Sequence, residues 1–260
     1  MINFFAVTNP EPIVYDMQTM TDSDCIASTP SIVRNSRDGE QYLVQRLADG
    51  NCWLLDNLRL DPTAVSLADL QDNTNASSQT LTYFKNGGGS SPYPATGVNT
   101  TWASSSDNKY DEPKVVTTYK DITTTSYGAG SGKIGVYYNY CAASAGSYCY
   151  ASGSGTGNAI EDLCPAGWRM PTGGSSGEYQ ALYTTYSSNA IDFRNALSTP
   201  LLGLFSNGSA GGQGSNGSFW SSTRYSDYSM YYLDVNSSDV NPADYYNRDL
   251  GFSMRCLLDS

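Results

Sequence analysis

Ser31-Ile32-Val33-Arg34-Asn35-Ser36-Arg37-Asp38-Gly39-Glu40-Gln41-Tyr42-Leu43-Val44 opens a stretch that runs on through Asp49-Gly50-Asn51 to Cys52-Trp53-Leu54-Leu55. Its three short apolar runs, at 31–34, 41–44 and 52–55, are parted by Asp-Gly pairs at 38–39 and 49–50. Asp-Gly between apolar runs is a strong hairpin signal, because type I′ turns need positive φ at their centre. Residues 31–60 therefore predict a β-meander.

Outward from this stretch the elements are shorter. Upstream, residues 1–30 read as an extended lead-in with scattered prolines and one cysteine. Downstream, 61–135 reads as long surface insertions around Gly87-Gly88-Gly89 and Ser/Thr-rich runs, with a short helix over 65–70. A strand follows over 135–140, then a small loop bounded by cysteines and a flexible Gly/Ser link at 153–158. Ser175 and Glu178 have capping-box spacing, and Tyr179, Leu182, Tyr183 and Tyr186 fall on one helical face, so a helix is expected over 176–186. A second spans 190–197 and stops before Pro200. After Gly211-Gly212 the chain alternates to its end, where Phe252, Met254 and Cys256 against Ser253 and Arg255 predict a half-buried final strand.

Composition narrows the function. The chain has 260 residues, no histidine, and 14 Lys and Arg against 25 Asp and Glu, a formal charge of −11. Without histidine the usual general base, zinc ligand and Ser-His or Cys-His pair are missing, which leaves carboxylate or tyrosine chemistry, or none. An acidic chain with a pI near 4.2 is a poor binder of phosphate backbones. Its mean hydropathy of −0.40 goes with the lack of any stretch long enough to span a membrane. Only 15% of residues are charged while 21 are Tyr, the opposite of a disordered composition. Asp outnumbers Glu 20 to 5, a preference of loops over helices.

Six cysteines suit three disulfides and an oxidising compartment. Among the 15 possible pairings, we expect Cys25–Cys52, Cys141–Cys149 and Cys164–Cys256. The last would close a loop of about 90 residues and contribute about 4–5 kcal/mol by restricting the unfolded chain. The opening Met1-Ile2-Asn3-Phe4-Phe5-Ala6-Val7 has no basic flank and too short an apolar run for a signal peptide. We therefore read the protein as extracellular or cell-surface, with a leader missing from this stretch.

Four segments in order resemble a known family. They are Asn35-Ser36-Arg37-Asp38-Gly39 with Gly50-Asn51-Cys52-Trp53, then Cys164-Pro165-Ala166-Gly167-Trp168-Arg169-Met170-Pro171-Thr172, then Phe219-Trp220-Ser221-Ser222-Thr223, then Gly251-Phe252-Ser253-Met254-Arg255-Cys256. Together they look like the FISUMP domain, a major paralogous domain of bacterial surface proteins, over about residues 30–258. The Arg169–Thr172 run before a helix also resembles the formylglycine-generating-enzyme type of C-type-lectin-like fold. The resemblance implies an α+β, C-type-lectin-like fold with antiparallel β-sheets, two short helices and long loop insertions, as a single domain over 31–260.

Residues 220–256 further resemble the variable region of proteins diversified by retroelements, in which template adenines, often in AAY codons, are randomised. Such codons reach Asn, Ser, Tyr, Asp and Leu but not Glu, Gln, Lys, Met or Trp. Between Tyr225 and Leu250 there is no Glu, Gln, Lys or Trp, and Met230 counts as framework. Independently of the family, the Tyr, Asp, Ser and Asn mixture is one that antibody paratopes favour, since Tyr gives large contact area for little lost rotamer entropy. The expected binding residues are Ser226, Asp227, Tyr228, Ser229, Tyr232, Asp234, Asn236, Asp239, Asp244, Tyr245, Tyr246, Asn247, Asp249 and Leu250, with Leu233, Val235, Val240 and Phe252 facing the core.

The implied partner is a macromolecule, a protein or cell-surface component with basic or polar patches, bound by a monomer; nucleic acid is not expected. No cofactor is expected. Asp234, Asp239, Asp244 and Asp249 recur every five residues, which raises a structural calcium ion but fits neither a helical nor a strand face. Asn241-Pro242-Ala243 departs from the Glu-Pro-Asn and Gln-Pro-Asp of calcium-dependent lectins. Trp53, Trp168 and Trp220 read as core anchors, Arg169 and Arg255 as partners of buried carboxylates or carbonyls, and Gly128–Lys133 as a loop without Walker spacing. Two rivals stand: an enzyme, either formylglycine-generating with reactive thiols or a glycosidase with paired carboxyls, and an invariant structural or adhesive module.

Overall fold

The predicted meander forms. The structure, a computed structural model, describes residues 13–102, 110–124, 132–150 and 157–259. Strands β2 (Ser31–Arg34), β3 (Gln41–Arg46) and β4 (Cys52–Leu54) pair antiparallel in sequence order, after β1 (Val14–Asp16). The connections are longer than two-residue hairpins, and only Gly39 and Gly50 take positive φ, +75° and +85°. A right-handed turn closed by one left-handed glycine spans these longer loops, so neither Asp needs the strained region and no type I′ turn forms. Asp38 and Asp49 instead accept backbone N–H groups at Glu40 and Asn51.

The described part of the lead-in, from residue 13 on, belongs to the domain rather than preceding it. β1 joins β2 in parallel, Met17, Met20 and Cys25 are buried, and Trp168 donates its indole N–H to Met17 O at 2.7 Å. The larger sheet runs β1-β2-β3-β4-β16-β10, where β10 is Trp168–Arg169 and β16 is Leu257–Leu258. The smaller runs β15-β14-β13-β9, from β9 (Gly157–Asn158), β13 (Asn216–Arg224), β14 (Ser229–Asn236) and β15 (Val240–Asn247). Three two-stranded ribbons complete the strands: β5 (Val115–Val116) with β8 (Tyr137–Tyr138), β6 (Thr123–Thr124) with β7 (Gly132–Lys133), and β11 (Leu204–Ser206) with β12 (Ser209–Gly211). The class is α+β with mostly antiparallel pairing.

Five helices form among the described residues, where the resemblance implies two and the residues mark three, α1 overlapping the short helix expected over 65–70: α1 (Leu67–Asn73), α2 (Ser78–Asn86), α3 (Tyr140–Ala143), α4 (Glu178–Thr185) and α5 (Ala190–Leu197). α5 has the predicted bounds. α4 starts later than predicted, and Ser175 does not cap it. Thr172 Oγ1 accepts the Glu178 N–H at 2.9 Å while the Glu178 carboxylate accepts the Thr172 N–H at 2.8 Å, a reciprocal clasp reaching back past the glycines. Segment 61–135 is not simply surface: Leu70, Leu81, Phe84, Trp102 and Val115 are buried. Most of the Gly128–Lys133 run and of the 153–158 link lies outside the described residues.

Two clusters make most of the core. Trp53 and Leu55, Tyr179 and Leu182 of α4, Phe193 and Leu197 of α5, and Phe219, Leu233, Val235 and Val240 form one, joining the two sheets through the helices. Val33, Tyr42, Val44, Leu70, Leu81, Phe84, Trp220 and Phe252 belong to the other. Segment 251–256 is not a half-buried strand: Phe252, Ser253, Met254, Arg255 and Cys256 are all buried. It threads through the interior, with Phe252 bonded to Tyr138, Ser253 to Ser218 and Trp220, and Met254 O accepting from Leu58. Arg255 survives there because its guanidinium donates to Leu54 O, Leu197 O and Ser198 O at 2.9–3.3 Å, satisfying carbonyls at the α5 C-terminus. Arg169 instead pairs with Glu178 and Asp259.

All three disulfides are Cys25–Cys52, Cys141–Cys149 and Cys164–Cys256, as expected. Asp162 organises the loop around Cys164. Its two carboxylate oxygens accept the N–H groups of Cys164 and Met170, both at 2.8 Å. Burial nevertheless pushes its pKa up to about 6.

Candidate ligand-binding surface

The segment 216–247 folds as a meander because its apolar residues alternate around Asp/Ser-rich turns. β14 sits centrally, with Trp220 opposite Tyr232 on one side and Asp244 opposite Tyr232 on the other. Two irregularities shape it. The β13–β14 register shifts between Trp220 and Arg224, and the β14–β15 register shifts where Pro242 sits, a residue that cannot donate to a ladder and is tolerated at bulges.

Pairing assigns the faces. Phe219, Leu233, Val235 and Val240 share the α4/α5 side, and Tyr231 and Tyr245 continue that face past the helices. Tyr225 stacks on Tyr245 with ring centroids 3.6 Å apart and planes 10° apart, while Tyr231 meets both rings edge-on. The approach of Tyr231 requires a glycine, since a Cβ on Gly173 would lie 2.7 Å from its Cβ. The opposite face carries Met230, Tyr232, Asp234, Asp244 and Tyr246. At one end Tyr228 meets Tyr110 edge-on at 5.6 Å, and Arg248 lies over the Tyr110 ring.

The fourteen expected residues therefore do not form one surface. Tyr228, Asp239, Tyr245, Tyr246 and Asn247 are exposed, and Asp227, Ser229, Asp234 and Asp244 are half-buried. Tyr232, Asp249 and Leu250 are buried, at 7%, 8% and 7% exposure. Tyr232 is covered on its own face by Phe252, 4.7 Å away ring to ring, while Leu233 and Val235 on the other face join the cluster that holds Tyr179 and Leu182 of α4. Ser226 and Asn236 are partly spent on turns: Ser226 Oγ accepts the N–H groups of Tyr228 and Ser229, and Asn236 Oδ1 those of Ser238 and Asp239. Tyr225, Tyr231 and Tyr110 were missed. Period-2 alternation from Leu233 and Val235 places Tyr231 on their face; Tyr110 lies far off in sequence and gave no signal.

The acidic residues are dispersed. Asp227 pairs with Arg224 at 3.0 Å, and Asp244 accepts the Tyr232 hydroxyl at 3.0 Å. Burial, then the Asp244 charge, hold the Asp234 carboxyl above the usual range. Burial likewise raises Asp249. Among the described residues no group of three or more His, Cys, Asp or Glu side chains could hold a metal ion.

No family model, curated protein or solved structure matches this chain.

What remains is a tip of exposed tyrosines, Tyr225 and Tyr245 on one face of the sheet and Tyr246 on the other, on strands whose inner part is locked into the core. Such rings offer apolar faces and a hydroxyl each to a ligand.

Proposed function

We propose that the protein is a ligand-recognition module whose β13–β15 tip binds a protein or cell-surface macromolecule, and that it belongs with FISUMP-type, C-type-lectin-like surface proteins diversified by a retroelement. The observation that carries the reading is the Tyr225–Tyr245 stack with Tyr228 and Tyr246, the last two 57% and 51% exposed, displayed on strands anchored by buried Trp220, Leu233 and Val235. Exposed aromatics clustered beside acidic and amide groups suit partners with basic or polar patches. The binder acts by recognition, as a monomer and without chemistry of its own. Three disulfides support an extracellular setting, and among the described residues no helix is long and apolar enough to cross a membrane.

Sequencing the neighbourhood of the coding region, and sibling copies of it, tests this. The expected result is a near-copy of the segment encoding 220–256, beside a reverse transcriptase, differing from it only at adenines. The differences should fall on exposed positions such as 228, 245, 246 and 247 and spare buried 230, 233 and 235. Siblings that vary evenly along the chain would overturn it in favour of an invariant module.

A further inference from the structure

Beside that tip, whose Asp227 pairs with Arg224, two clefts share one wall. The first, about 370 Å³, is walled by Tyr93, Tyr148 and Tyr150, with Arg224 and Glu161 as its charged groups. The second, about 410 Å³, is lined by Asn75, Asn158, Thr172, Arg169 and Asp259. Ile160 lines both and is 82% exposed, the most exposed large apolar side chain among the described residues. The clefts are also tied by the Tyr148 hydroxyl, which donates to Asn158 O at 3.4 Å.

We infer that these clefts form an extended binding site for a neutral oligosaccharide, one end against the tyrosines and the chain passing over Ile160. This inference does not rest on the recognition reading above.

Charge decides the ligand class. Although the molecule carries −11, each cleft holds one cation and one anion. In the second cleft they already satisfy each other, Arg169 Nε donating to Asp259 at 3.2 Å. In the first, Glu161 is held by the Ser77 N–H at 3.0 Å and the Thr80 hydroxyl at 2.6 Å, and Arg224 lies over the Tyr148 ring. A charged ligand meets no net attraction in either cleft. Hydroxyl groups, each both donor and acceptor, can address carboxylate, guanidinium and amide alike. Tyrosine rings and Ile160 supply the apolar surface on which the C–H face of a pyranose rests, and the mixture of aromatic walls with few polar groups is that of a binding cleft. A peptide added to the sheet edge is less well served, because among the described residues the edge strand β9 offers two.

The test uses the intact chain titrated with cellotriose, maltotriose, mannotriose and chitotriose, followed by calorimetry and by amide shifts in NMR, alongside a broad glycan array. At least one neutral glycan should bind saturably and shift the amides of 158–161 and 148–150. Tyr150→Ala should weaken it at least about tenfold, the loss expected for one aromatic platform. Ile160→Asp, at a side chain too exposed to affect folding, should do the same, whereas Tyr245→Ala should leave it unchanged. No neutral glycan bound, binding indifferent to both cleft variants, or binding only of charged glycans or peptides would each overturn the proposal.

Discussion

Tyr137, Tyr138 and Tyr140 and the quartet Tyr225, Tyr228, Tyr245 and Tyr246 are the same side chain in two uses. The first three, from β8 and α3, are fully buried, and each hydroxyl ends on a backbone carbonyl: Tyr137 on Leu202 O, Tyr138 on Leu60 O and Tyr140 on Ser222 O. The quartet is 44–57% exposed, and Tyr225, Tyr228 and Tyr245 lean on other tyrosines. The difference lies in where partners come from. Inside, polar atoms are met chiefly by the fold; at the tip, water can meet them. A chain with 21 tyrosines can thus place them both in a rigid interior and on an exposed surface, where we propose that they serve recognition.

The largest test of that division removes a staple of the interior. Replacing Cys164 and Cys256 together by Ala should lower unfolding free energy by about 4–5 kcal/mol in denaturant titrations, because the bridge spans 92 residues. Tyr140→Ala should cost about 3–5 kcal/mol, as for other large aromatic deletions, while Tyr140→Phe should cost only about 1 kcal/mol, the single hydrogen bond to Ser222 O. A small loss for Tyr140→Ala would break the contrast from the buried side.

A pH series sharpens it further. The folded pKa of Asp162, about 6, lies above that of an unfolded aspartate. Its contribution to stability is therefore present at low pH and is lost as pH rises through 6. Asp162→Asn should flatten that part of the profile, so the advantage of the parent over the variant should shrink by about 2–3 kcal/mol between pH 4 and pH 7. Glu178 acts in the opposite sense. Burial pushes its carboxyl up, but Arg169 and the Thr172 N–H and hydroxyl outweigh that and hold it below the usual range. It supports the fold above the unfolded carboxylate pKa and stops doing so in acid.

The smallest effect is expected at the tip. Tyr228→Ala, Tyr245→Ala and Tyr246→Ala should each change stability by less than about 1 kcal/mol, read from melting curves, while removing binding to a ligand recovered on the parent protein. A large stability loss at most of them would make the tip part of the core and end the contrast.

Much of the frame was legible before any coordinates. Asp-Gly punctuation located β2–β4, Pro200 marked the stop of α5, and the cysteine pairing followed the expected pattern. What escaped is two-sided burial. Alternation tells which side chains share a face but not whether the other face is also covered, so Tyr232 and the 251–256 segment were read as half exposed. α2 escaped for a different reason: a Ser/Thr-rich composition hid a helix whose capping Ser77, terminal Gly87 and inward Leu81 and Phe84 are plain in hindsight. Asp249 looked like surface because aspartate usually is.

Leu257–Leu258 lie between β4 and β10, in the interior order of the larger sheet. The larger sheet cannot close until Leu257–Leu258 are made, and the Cys164 thiol waits about as long for Cys256. Closure of sheet and bridge alike therefore waits on residues 256–258. Any alteration in 220–250 that loses the reading frame also loses Arg255, Cys256 and β16 at a stroke. A chain that has lost the frame there can close neither the larger sheet nor the Cys164–Cys256 bridge.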